Sequence, residues 1–569
     1  MTSVPVVSRF LVCALLLVAS VASAEAQTMR VSTLPIPGTP EFVKTVRDVL
    51  SIHYRLVPNN AAEAGLFEDS THVPSFNPAV VRSLNRRLET DMSNLRNSNW
   101  RSWPVDRQID ARYIYALAQD AKRQLIDERM YEYRPAQWLE PLANDYIALL
   151  TYVPQRVDLQ RALTAQIPTM VAEMRRICRV PTRRNVATAN ELIDALQTTL
   201  RLKPASSARD SAHNALASYK TYLAGLRHLP EYRTIGAANY AWRLRHVELL
   251  PWTPNALRSI AQRELAAVDR QLATLKPKLE ADPVATEAQV AAAKALDQPA
   301  LLSMYDAIEE QLRAKVDALG IITVPGGVGP IKARVTPDAM IPLTGDGGSM
   351  TNAPTYVNSN VGYWNVEHFA PAMSQKDRLD TVVQAQDFGV TGMGPYAVHE
   401  GVPGHHLQLS IARLNPDPLR SILSDPVQVE GWALYAEDEF QQAGGLGPSV
   451  SARYHTLGSW RFRVRRVVYD VNVETNQWGL QEAADWKSSA PHGKGKIDED
   501  LLRSVNWPGQ LICYFAGKMQ ILDLKAAYKR KLGSAYSERK FNDALLSAGS
   551  IPYALIRARM LGEPVPGFD

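Results

Sequence analysis

Residues 111–121 read Ala-Arg-Tyr-Ile-Tyr-Ala-Leu-Ala-Gln-Asp-Ala, and residues 191–200 read Glu-Leu-Ile-Asp-Ala-Leu-Gln-Thr-Thr-Leu. Apolar side chains recur in both at three-and-four spacing, the period of an amphipathic helix. The pattern holds from Thr39 to about Leu319 and is punctuated at Val153-Pro154, Lys203-Pro204, Leu229-Pro230 and Pro251-Trp-Thr-Pro254. Thr253 before Pro254 and Asp282 before Pro283 suit helix starts, because a hydroxyl or carboxylate caps free N–H groups and proline needs no donor at the first position. The fold class that follows is all-α and multi-helical. A single core rarely grows past ~250–300 residues, so a chain of 569 is expected in two lobes. They are a helical lobe over 27–330 and a lobe over 331–569 that carries the chemistry.

Residues 320–350 differ in character. Val324-Pro-Gly-Gly-Val-Gly-Pro330 and Gly345-Asp-Gly-Gly348 frame β-branched and turn residues, and Ala353-Pro-Thr-Tyr-Val-Asn-Ser-Asn-Val-Gly-Tyr-Trp364 alternates as a strand or hairpin does. An extended segment around Tyr356 would offer its backbone to a peptide as an added strand. Past residue 378 helices return, over 397–413, 427–442, 453–473, 480–486, 508–531 and 538–549, the second of them after Asp425-Pro426.

Two of these later helices bear the chemistry. Residues 399–406 read His-Glu-Gly-Val-Pro-Gly-His-His, and Glu430 follows in Val-Glu-Gly-Trp-Ala-Leu-Tyr-Ala-Glu. Imidazoles and a carboxylate are ligands that Zn²⁺ accepts, and a catalytic zinc keeps three of them. In the common zinc-protease motif the histidines stand four apart on one helix face. Here His405 is six residues from His399, ~120° away on an unbroken helix, whereas His406 at seven returns to within ~20°. Pro403 clashes with the carbonyl four residues back, that of His399, and Gly404 adopts conformations closed to other residues. A break is therefore expected between the histidines, and spacing alone leaves His405 and His406 both open.

The string His399-Glu-Gly-Val-Pro-Gly-His-His-Leu-Gln408 resembles the His-Glu-x-x-Pro-Gly-His-His-x-Gln signature of the bacterial domain of unknown function 885 family. Glu430-Gly-Trp-Ala433 and Pro508-Gly-Gln510, with Tyr514 and Gly517, resemble that family's other signatures in the same order. The resemblance implies a largely helical, secreted, zinc-dependent hydrolase, a peptidase distantly like thimet oligopeptidase. It implies His405, directly after Pro-Gly, as the second ligand. One zinc per chain, held by His399, His405 and Glu430, is the expected cofactor, with Glu400 as general base for the attacking water. Tyr514 is the candidate donor to an oxyanion, with His455 second. His406 is expected beside the ligands or against substrate. Glu437, seven residues after Glu430, shares its face and suits orienting a ligand histidine. Arg463 and Arg466 suit a substrate carboxylate, although Asp470 is placed to pair with Arg466 on the helix surface. Glu474 stands where many relatives carry a histidine.

Composition bounds the partners. The net charge of +5 comes from 63 basic and 58 acidic residues spread along the chain, which argues against nucleic acid. The first 26 residues carry Arg9, an apolar run from Phe10 to about Ala22, and small residues at Ala22, Ala24 and Ala26. This reads as a signal peptide, too short for a stable span. Cys13 lacks the small-residue context of a lipid-anchor signal, so the expectation is a periplasmic or secreted protein without a membrane anchor. Cys178 and Cys513, with no ligand-type spacing around them, are read as two separate buried thiols. The expected substrate is a peptide or small amide. Alternatives are a zinc hydrolase of non-peptide amides or esters, or a noncatalytic exported protein that binds zinc structurally.

Overall fold

The computed structural model describes residues 29–279, 284–338, 340–489 and 491–568. The leader expected over 1–26 and the helix start expected at Asp282-Pro283 lie outside them. The fold is mainly α. The stretch at 111–121 lies inside Val105–Arg123, and that at 191–200 inside Arg183–Arg201. Thr253 caps Pro254–Leu275 as its sequence suggests, accepting from Ala256 N at 3.2 Å. Helices Gln375–Gln386, Glu499–Asn506 and Tyr553–Leu561 complete the second half. No helix of the described residues is long and apolar enough to cross a membrane. Cys178 and Cys513 are buried, unpaired thiols.

The elements that position the site are α1 (Gln298–Leu319), α2 (Met393–Glu400), α3 (His405–Arg413), α4 (Pro426–Gln442), α5 (Val450–Glu474), α6 (Glu499–Asn506) and α7 (Cys513–Leu532). One buried apolar cluster reaches from Val31 to Val565 and includes Val402, Leu407, Trp432 and Tyr514. Within it α4 and α7 touch backbone to backbone. A Cβ on Gly431 would stand 2.4 Å from Gly517 Cα, and one on Gly517 would stand 2.1 Å from Val427 O. Two glycines of the motif residues are thus explained by helix packing, since no larger side chain fits between these helices.

The β element differs from the expected hairpin. Three strands, β1 (Ile331–Val335), β2 (Ser349–Thr351) and β3 (Gly362–Val366), form a mixed sheet in the order β1-β3-β2. β1 runs parallel to β3, with Ile331 opposite Gly362, and β2 runs antiparallel to it, with Thr351 opposite Tyr363. Most of 353–364 is loop, and only its last three residues enter β3. Pro354 lacks a donor, and Asn358-Ser-Asn360 favours turns over a ladder. Tyr356 accordingly offers no free strand edge, because its N–H donates to Ala64 O at 3.2 Å.

The glycine contact gives a paired prediction. Gly517→Ala should lower the unfolding midpoint, at an overpacking cost of about 1–3 kcal/mol. Gly458→Ala, on α5 with no heavy atom within 4 Å of the added Cβ, should raise stability by about 0.5–1 kcal/mol. Denaturant unfolding of both variants reads the contrast, and equal effects would contradict the packing argument.

Candidate metal centre

The expected break lies between α2 and α3. His399 and Glu400 end α2, residues 401–404 turn the chain through a cis Val402–Pro403 bond, and His405 opens α3. Backbone contacts require glycine at 404, and a side chain at 401 would have to displace the Glu309 carboxylate. A Cβ on Gly404 would meet the carbonyl oxygens of His399 and Val398 at 2.1 Å, and one on Gly401 would meet Glu309 Oε2 at 2.3 Å. The polar groups of the turn have buried partners. Val402 N donates to Glu309 Oε2 on α1 at 3.3 Å, and Trp432 Nε1 on α4 donates to Pro403 O at 2.9 Å.

The turn swings His405 back toward His399, so that the rings meet edge to face at 4.7 Å and 82°. Their Nε2 atoms converge on Glu430 Oε2 of α4, at 3.5 Å from His399 and 3.3 Å from His405. Ligand atoms of these three residues all lie within 4.8 Å of one another, the one such group found among the described residues. Of the two histidines that spacing left open, the structure brings His405 against His399 and Glu430. His406 faces away, its Nε2 2.9 Å from Gly329 O and its Nδ1 against Gly362. It ties α3 to the loop before β1 instead of facing the cluster, and burial lowers its pKa to about 4.

Glu437, two turns beyond Glu430, reaches His399 Nδ1 at 2.8 Å. Ser459 of α5 donates to Glu437 Oε2, and Arg463 Nη1 donates to Ser459 Oγ at 2.9 Å. This chain fixes the ring of His399 and directs Nε2 at Glu430. Burial opposes charge on His399, but hydrogen bonds to Glu430 and Glu437 outweigh it and lift the pKa to about 9. Burial likewise opposes charge on Glu430, and its hydrogen bonds to the two histidines win and hold its carboxyl well below the usual range. Glu400, 8% exposed, has its carboxyl pushed up by burial first, then by the charge of Glu430 against the pull of His399, His405 and Arg463.

Tyr514 of α7 lies beside the cluster, its ring 6.2 Å from His399 and inclined 20° to it. Gln510 Nε2 and Arg503 Nη2 point at its hydroxyl from 3.3 and 3.5 Å. Arg463 and Arg466 cover the ring from 5.7 and 4.9 Å. Arg466 is not free for a substrate carboxylate, and its partner is not Asp470. It pairs with Asp500 of α6 at 2.6 Å, while Asp470 accepts from Tyr240 OH at 2.6 Å. Arg463 keeps a buried Nε without a partner. Glu474 accepts from Ile235 N at 3.0 Å, and His455 stands on α5 beside Gly392. Glu309, Ser459 and Asp500 have no local sequence signal, because their roles come from helices brought together by the fold.

The model of a family described as "bacterial protein of unknown function (DUF885)" matches residues 58–560. The chain belongs to that family. No curated protein matches the sequence. Among solved structures, a "putative lipoprotein of unknown function" from Shewanella oneidensis superposes with a TM-score of 0.70 at 18% identity, covering 92% of this chain and 100% of that one. A "putative lipoprotein" from Colwellia psychrerythraea does so with a TM-score of 0.69 at 16% identity, over 92% and 99%. The superpositions show that this helical fold is shared with both proteins.

Glu309 gives a pH prediction. Burial raises its pKa from 4.5 to about 8, so the folded state binds this proton more tightly than the unfolded chain. Its stabilising contribution is full below pH 4.5 and is lost as pH rises through about 8. Glu309→Gln keeps an acceptor for Val402 N–H and removes the titration. Its stability relative to wild type should therefore grow across that window in denaturant midpoints, and a pH-independent difference would contradict a buried neutral acid.

Proposed function

We propose that this protein is an exported zinc-dependent hydrolase that cleaves peptide bonds. The observation that carries the reading is the convergence of His399 Nε2, His405 Nε2 and Glu430 Oε2. Glu430 Oε2 is buried and lies 3.5 and 3.3 Å from the two imidazole nitrogens, the grouping of donor atoms that a cation would draw together. Two imidazoles and one carboxylate fit Zn²⁺, and Glu437 on Nδ1 leaves Nε2 of His399 as the ligand atom. The raised pKa of His399 means that metal and proton compete for that nitrogen. Bound there, zinc supplies a Lewis acid that polarises a carbonyl oxygen and lowers the pKa of water toward ~7.

The chain's own residues supply the rest. Glu400, its carboxyl raised by burial, takes a proton from water and passes it to the leaving amine. Tyr514 donates its phenolic hydrogen to the oxyanion, backed by Arg466 and Arg463 over its ring. A purely structural zinc site closes with four protein ligands. His406, the residue suited to be the fourth, is engaged by Gly329, which favours an open position. Export rests on the apolar run from Phe10 to about Ala22 and accords with the description of both structural neighbours as lipoproteins.

Elemental analysis of purified protein should find one zinc per chain. Glu400→Gln should retain the zinc and lower kcat on peptides by about 10²–10⁴. Tyr514→Phe should lower kcat by about 10²–10³ with little change in KM. Protein without stoichiometric zinc, or a fully active Glu400→Gln variant, would falsify the reading.

A further inference from the structure

A cavity of about 660 Å³ lies between the helices of the first half of the chain and the segments that lead into the ligand helices. It flanks the candidate metal centre without containing it. Val429, next to Glu430, and Leu409, one turn beyond His405, both line it. Two carboxylates on its lining, Glu248 and Asp425, form no ion pair among the described residues. Both face the same cavity, and burial and then the charge of Glu248 push the Asp425 carboxyl well up. Arg243, whose charge reaches Glu248, is already paired with Asp120 at 2.8 Å and Glu128 at 3.5 Å. Arg413, also on the lining, is held by the carbonyls of Pro354, Val357 and Ser359 at 2.9, 3.2 and 2.7 Å. An independent observation marks the same cavity. Tyr54 lines the cavity, is 2% exposed, and has a buried hydroxyl with no hydrogen-bond partner.

Acids raised in this way hold a proton until a cation takes its place. A primary ammonium does so, with three donors for two carboxylates, and Tyr113 on the lining adds an aromatic face. The unmet hydroxyl of Tyr54 serves a polar group further along the ligand. Distance gives the register. Asp425 caps α4 and Glu430 comes five residues later, ~7.5 Å along the helix axis. An extended peptide advances ~3.4 Å per residue, so about two residues separate the two points.

We infer that this cavity is the subsite for the free N-terminal ammonium of a peptide substrate, held by Glu248 and Asp425 about two residues from the bond that is cleaved. The inference rests on the peptidase reading and adds a preference for unblocked N-termini.

The test uses zinc-loaded Glu400→Gln protein, which binds without turnover, titrated calorimetrically with trialanine, N-acetyl-trialanine and N-acetyl-lysyl-alanyl-alanine. Trialanine should bind at least about tenfold tighter than either acetylated peptide. Adding Glu248→Gln should bring that ratio close to one. Asp425→Asn, which retains a helix-capping oxygen, should reduce it as a second variant. Equal affinities, a ratio unchanged by Glu248→Gln, no binding of any of the three, or an acetylated lysyl peptide that binds like trialanine each overturns the subsite. Turnover by the wild-type enzyme separates this claim from the one beneath it. Cleavage of free and acetylated peptides alike removes the subsite and leaves the peptidase. Amine-selective binding with no cleavage of any peptide keeps the subsite and removes the peptidase.

Discussion

A four-residue turn between α2 and α3 decides where every other group of the site must stand. On a continuous helix His399 and His405 would face ~120° apart, and no single cation could meet both. With the helix broken at 401–404, their rings lie 4.7 Å apart and one carboxylate oxygen serves both. The turn is held by the Val398 and His399 carbonyls of α2 packed against Gly404, by Glu309 on Val402 N, and by Trp432 on Pro403 O. Trp432 is two residues from Glu430, so the helix that brings the carboxylate also pins the turn that brings the second histidine. That helix is in turn seated against α7 through Gly431 and Gly517. Carboxylate, tryptophan and glycine in Glu430-Gly431-Trp432 thus serve one geometric end.

Burial sets the electrostatics. His399, Glu400, His405 and Glu437 are at most 8% exposed, and charges so placed persist only when paired or bonded. The line from Arg463 through Ser459 and Glu437 to His399 provides that pairing from one side. The two histidines provide it for Glu430 from the other. Arg466 is neutralised by Asp500 and acts on Tyr514 as a cation over its ring. The acids outside this line, such as Glu309 and Glu474, are buried with few cations, and burial pushes each up to about 8.

The parts of this arrangement written into local sequence were legible there. Three-and-four periodicity at 111–121 and 191–200 marks helices that the fold contains, and Thr253-Pro254 marks a start that Thr253 caps. The Pro-Gly step at 403–404 announces a break, because proline and glycine act on their own backbone whatever surrounds them. Glu437 followed from its position on the Glu430 face. Elsewhere tertiary context overruled local pattern. Alternation at 353–364 failed to make a strand because Pro354 and the asparagines favour a loop that packs on Ala64. Its ladder partners instead came from residues 331–335, about thirty positions away. Asp470 lost Arg466 to Asp500 because α6 lies across α5, a contact that helix periodicity does not encode. His406 could be told from His405 only once the turn had a shape.

The claim beneath the whole account is that His399, His405 and Glu430 hold one metal ion with a position left open. Anomalous diffraction at the zinc edge from crystals of the purified protein tests it directly. The account predicts a single peak at about 2.0–2.2 Å from His399 Nε2, His405 Nε2 and a Glu430 oxygen, with His406 still on Gly329. No peak at this cluster, or a peak ligated by His406 as a fourth protein group, would contradict it.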